Sequence, residues 1–100
     1  MKHLKVGEKA HRVVLLKNFG RHDWTIDEVL VVDQHQWLGT IFDSGQRFMS
    51  AWHGELHATR EEALDYVRDA LQARIAGASD SAERNSIYAA IAKTRITSLA

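Results

Sequence analysis

The hydrophobic pattern of this chain changes period once, at Thr59, and that change limits the folds open to it. Before Thr59 the apolar residues come in short runs rich in β-branched side chains, Val13-Val14-Leu15-Leu16 and Val29-Leu30-Val31-Val32 among them. After it, Leu64, Val67, Leu71 and Ile75 recur at spacings of three and four, with Ala63 and Ala70 beside them. A period near two describes a strand with one face buried, and a period near 3.6 describes an amphipathic helix. Strands followed by helices, without alternation of the two, imply an α+β fold with an antiparallel sheet.

Four strands are expected between residues 11 and 57: His11–Phe19, Trp24–Asp33, Gln36–Phe42 and Arg47–Trp52, the last continuing to about His57. Three to four strands in a meander would account for this region. Thr25-Ile26-Asp27-Glu28 matches a helix-capping box, but the valines that follow favour a strand. Gly20-Arg21-His22-Asp23 reads as a loop. Asp43-Ser44-Gly45-Gln46 reads as a hairpin connection, with Gly45 able to take a positive φ. Phe48, Trp52 and Leu56 are placed on the core face of the last strand. From Thr59, the N-cap hydroxyl and Glu62 three residues on can satisfy each other's free amides, opening a helix over 59–76 that stops at Gly77. Asp80-Ser81-Ala82-Glu83 repeats the capping pattern and opens a second helix over 80–95. Its apolar stripe, Ile87, Ala90 and Ile91, is narrower, and Thr94-Arg95-Ile96-Thr97 should fray.

A chain of 100 residues that is 45% hydrophobic can fill one modest core, so residues 1–100 are expected as a single domain. The formal net charge is zero, which removes any global pull towards nucleic acid or anionic membrane. The absence of cysteine excludes disulfides, thiolate zinc sites and cysteine nucleophiles, and fits a reducing cytoplasm, the expected location. The longest aliphatic runs are four residues, far short of a membrane span.

Charge is nevertheless divided along the chain. Residues 1–22 carry six Lys or Arg against one Glu, whereas residues 23–62 carry eight acids against Arg47 and Arg60. A basic arm, residues 1–10, ahead of an acidic sheet suits neutralisation within the domain or by a second copy better than contact with phosphates. The expected function is that of a small cytoplasmic, non-enzymatic binding or accessory protein, an inhibitor or adaptor of the kind a mobile element carries. It would act as a homodimer through an acidic sheet face, Asp27, Glu28, Asp33, Trp37, Asp43 and Glu55, and through its terminal helix. The partner would be another protein, and no cofactor is implied.

Two alternatives stand beside this reading. Lys2, Lys5, Lys9, Arg12, Lys17 and Arg21, joined by Arg84, Lys93 and Arg95, could form a nucleic-acid-binding surface. Trp24, Trp37 and Trp52 could stack on bases, although core or interface roles are commoner for tryptophan. A sheet followed by a helix opening Thr-x-Glu-Glu-Ala, over Gln36–Leu71, distantly resembles integrase-arm DNA-binding domains. Those domains carry basic strands, and here only Arg47 qualifies. The second alternative is a divalent metal at His53, Glu55 and His57, which would share one strand face; ligands spaced by about 7 Å along a strand converge poorly on one ion. No Gly-x-Ser-x-Gly, Walker or dinucleotide motif is present to suggest catalysis.

Overall fold

The structure is a computed structural model, and it describes residues 4–35, 39–45, 48–51 and 55–99. The fold is α+β: a five-stranded antiparallel sheet followed by two C-terminal helices. The strands are β1 (Lys9–Asn18), β2 (Arg21–His35), β3 (Gly39–Asp43), β4 (Phe48–Ala51) and β5 (Leu56–His57), and the helices are α1 (Arg60–Ile75) and α2 (Ser81–Ser98). The order across the sheet is β4-β3-β2-β1-β5. Two compact units make up the chain, one from Met1–Val13 and Ile26–Ala63, the other from Val14–Thr25 and Leu64–Ala100.

The long β1–β2 hairpin contributes to both units, and its burial pattern records this. His22 and Trp24 are buried in the first part of β2, whereas Val29 and Val31 are buried further along. The buried positions change from even to odd, so no single period of two runs the length of the strand. That change hides the alternation over His22–Trp24 from a sequence reading, and the expected loop at 20–23 is instead mostly strand. The turn is Phe19–Gly20 alone, with φ of 50° and 77°. Two positive φ values mark the mirror-image turn that matches the right-handed twist of a hairpin. Gly20 adopts it freely, while a residue with a Cβ pays about 1–2 kcal/mol.

In the first unit, Ala10, Val29, Val31, Phe42, Ala51 and Leu56 form the core, with Leu4 and Met49 packed against it. Residues of the expected basic arm are part of this structure. Gly7 N–H donates to the Val31 carbonyl at 2.8 Å, Val31 N–H donates to Glu8 O at 2.9 Å, and Gln34 Nε2 donates to Leu4 O. Register then corrects the assignment of β4. Phe42 pairs with Met49 and Asp43 with Phe48, so Met49 and Ala51 turn towards the core and Phe48 is 70% exposed. Leu56 is buried as expected, but not as a continuation of β4: it pairs with Arg12, at the opposite edge of the sheet. The expected hairpin loop holds, with Gly45 at φ 90° and its N–H donating to Asp43 Oδ1.

In the second unit, Leu64, Val67 and Leu71 of α1 and Ile87, Ala90 and Ile91 of α2 are buried, the residues that the helical spacing picks out. The cap of α1, whose residues belong to the first unit, is closed by Glu62 N–H donating to Thr59 Oγ1. Asp80 caps α2 from an extended backbone, its side chain accepting from Glu83 N–H. α2 does not stop at 95 but runs through Ser98, where Thr94 is buried and its hydroxyl donates to the Ile91 carbonyl. Burial of Thr94 in line with Ile87 and Ile91, rather than local propensity, keeps the last turns helical.

Candidate functional site

Residues directly opposite in neighbouring strands share a face, so register decides which acidic side chains meet. Leu30 opposes Asp43, and Asp43 opposes Phe48, forming one row across β2, β3 and β4. Asp33 opposes Ile41, and Ile41 opposes Ser50, forming a second row on the same face. This is the outer face, because the interleaved row Val31–Phe42–Met49 faces the core. Asp33 reaches it through a bulge: between Val31 and Asp33 the strand takes two steps while its partner takes one. In a regular strand without the bulge, Asp33 would stand two positions from Val31, opposite Thr40, and its side chain would turn inward with that of Val31.

The resulting surface mixes acids and exposed apolar groups. Glu28 lies on it by alternation with Leu30, and Leu30 and Phe48 are 40% and 70% exposed. Lys9 is a base at its rim, 3.1 Å from Glu28, with both side chains more than half exposed. Of the acidic set expected from the sequence, Glu28, Asp33 and Asp43 come together here. Asp27 is exposed, but as the neighbour of Glu28 it falls on the other side of β2. Glu55 is exposed beside β5, and Val13 N–H donates to its backbone carbonyl, so it belongs to the far edge. Trp37 lies outside the described residues. Phe48, which sequence pattern assigns to the core, stands on the edge strand as the more exposed apolar residue of this row.

The second unit holds a different arrangement, one that sequence reasoning missed. The His22 side chain, 1% exposed, points Nε2 at Glu83 Oε1 at 3.0 Å. Arg74 Nη1 lies 3.2 Å from His22 Nδ1. A guanidinium only donates, so Nδ1 is the acceptor and Nε2 carries the proton given to Glu83. The other carboxylate oxygen of Glu83 accepts from Ser79 N–H at 3.1 Å and Ser79 Oγ at 2.8 Å. Lys17 Nζ stands 3.7 Å from Oε1. His22 N–H donates to Ser86 Oγ at 2.8 Å.

Bonding to the charged form sets the acidity of this site. The Ser79 amide first, then His22, the Ser79 hydroxyl and the Lys17 charge hold Glu83 at about 2, against the opposing effect of burial. Nearby, Lys93 Nζ donates to Asp23 Oδ1 and to the Trp24 carbonyl, each at 2.9 Å, and lies 4.4 Å from the centre of the Trp24 ring. The bond from Lys93, then that from the Trp24 amide, lowers the Asp23 pKa. Trp24 is a core residue, and its indole Nε1 donates to Ala90 O at 3.0 Å. Both nitrogens of His22 and both oxygens of Glu83 are engaged, so the cluster acts as a latch rather than as an offered base. The sequence trace of it is the alternation Arg21-His22-Asp23-Trp24, too short to stand out once the buried positions of β2 change from even to odd.

The basic residues are partly spent inside the chain. Lys9 pairs with Glu28, and Lys17 approaches Glu83. The Arg12 guanidinium sits 5.4 Å over the Phe42 ring, with its Nε lacking a hydrogen-bond partner among the described residues. Lys5 and Arg21 are exposed, and Lys2 lies outside the described residues. His53 of the expected metal set also lies outside them. Glu55 is exposed and His57 pairs across from His11. No group of three metal-ligating side chains occurs among the described residues. Among those residues, too, no helix is long and apolar enough to cross a membrane. No protein-family model matches the chain, and no match was found among curated proteins or solved structures.

Proposed function

We propose that this chain is a small, non-enzymatic binding module, working as a homodimer, that meets a partner protein through the outer face of β2, β3 and β4. The observation that carries the reading is the row Leu30–Asp43–Phe48, with Asp33 and Glu28 on the same face. Exposed aromatic and aliphatic groups set among carboxylates suit a surface that presents apolar side chains flanked by lysine or arginine. Covering such a surface, including the nucleic-acid site of a basic protein, is the work of an inhibitor or adaptor. The nucleic-acid reading has less support, since Lys9, Arg12 and Lys17 each face a group of their own chain.

Parallel affinity capture with three baits tests this: the native chain, Phe48→Ser and Asp33→Lys. Both substitutions fall at exposed positions, where changes to stability stay within about 0.5 kcal/mol. A stoichiometric protein held by the native bait and lost from both variants is the expected result. A native bait that holds nothing, or equal capture by all three, would overturn the proposal.

A further inference from the structure

Phe19 is unfavourable on two independent counts. It is 100% exposed, so none of the described residues covers it. Its φ of 50° is a left-handed conformation that bulky residues rarely adopt. Asparagine is the residue best suited to this position of a turn followed by glycine, yet asparagine stands one place earlier, at Asn18. Neither burial nor backbone preference accounts for a phenylalanine here, and a strained, displayed aromatic is a signature of a contact residue.

The surroundings indicate what it contacts. Phe19 lies on the rim of an open depression of about 930 Å³ in the second unit. One side is the hairpin, with Lys17, Arg21 and Asp23; the other is the start of α2, with Asp80, Ala82 and Asn85. Lys17 reaches Glu83 and Asp23 is held by Lys93, which leaves the charge of Arg21 on one side and that of Asp80 on the other. A two-fold axis through the depression would lay Arg21 of each copy against Asp80 of the other, a self-complementary contact. An anionic bilayer fits less well, because Asp23 and Asp80 flank the same ring.

We propose that Phe19 is the anchor of an isologous contact with a second copy of this chain, entering the depression of that copy beside Ala82 while Arg21 faces its Asp80. This rests on the homodimer reading and is independent of the outer sheet face.

Light scattering of the full chain over a concentration series, with Phe19→Asn and Asp80→Asn alongside, tests the proposal. The native chain should show twice the 11.3 kDa mass, and Phe19→Asn a single mass. Asparagine caps a helix about as well as aspartate, so Asp80→Asn should keep its fold and dissociate at about tenfold higher concentration. Urea unfolding at a dilution where every chain is monomeric supplies the second readout. There Phe19→Asn should unfold at the native midpoint or above it, since the turn is relieved. A lower midpoint would make the ring part of the fold and sink the proposal. A native chain of single mass at millimolar concentration would overturn this contact and the homodimer together. A dimer that survives Phe19→Asn would keep the homodimer and remove this surface, as would Phe19-dependent sedimentation of the monomer with anionic vesicles.

Discussion

The unit that holds β3, β4 and β5 packs a core of Ala10, Val29, Val31, Phe42, Ala51 and Leu56, and sets Glu28, Asp33 and Asp43 on the outside. The unit that holds α2 buries His22 and Glu83 alongside Ile87, Ala90 and Ile91. The first therefore buries apolar groups at its core and keeps these carboxylates on its surface, Glu28 beside Lys9. The second has turned a charge inward, that of Glu83, which Ser79, His22 and Lys17 satisfy, while Arg74 holds the other nitrogen of His22. A satisfied buried network specifies one geometry, because a shifted helix would leave each member unpaired. The difference teaches where to test each proposal: binding on the sheet face, and pH sensitivity at the latch.

The sharpest way to break the first unit is Phe42→Ala. Removing a fully buried ring should cost about 3–5 kcal/mol, read as a lowered urea midpoint with unchanged slope. A loss under about 1 kcal/mol would mean that the ring is not packed as described.

The second unit should respond to acid instead. Glu83 falls from the ordinary 4.5 to about 2 on folding. Its folded-state pKa is depressed, so its contribution is complete above 4.5 and is lost as the pH falls towards about 2. Amide signals from His22, Ile87 and Ala90 should accordingly weaken in that window before those of Val31 and Phe42. Glu83→Gln should flatten this dependence while lowering stability at neutral pH. If the two sets of signals disappear together in native and variant alike, the latch is not what acid titrates.

The smallest effect belongs to the exposed pair. Lys9→Met should change stability by no more than about 1 kcal/mol, because both partners of the Lys9–Glu28 bridge are largely solvated. A larger loss would show that the sheet's outer charges are structural rather than free for a partner.

Much of this architecture is legible without coordinates. Leu64, Val67 and Leu71, the caps at Thr59 and Asp80, and the turn at Gly45 all follow from spacing within a few residues, since helix faces and turns are local geometry. Phe48 is not legible in that way. Which of two alternating residues faces inward depends on the pairing register with β3, and a slip of one residue exchanges the faces. The bulge at Val32 is similarly silent, although it places Asp33 beside Asp43 and so assembles the candidate site. His22 falls in a stretch with every mark of a loop, and its partners Glu83 and Arg74 stand 61 and 52 residues away.

By itself the sequence determined the fold class, the two helices with their caps and buried stripes, and the division of charge, because each is set by neighbours in the chain. Tertiary structure alone decided that Leu56 pairs with β1 rather than extending β4, that Phe48 faces out, and that His22 meets Glu83. Those outcomes depend on strand pairing and on contacts between distant residues, where the energy lies in a partner that local pattern does not name.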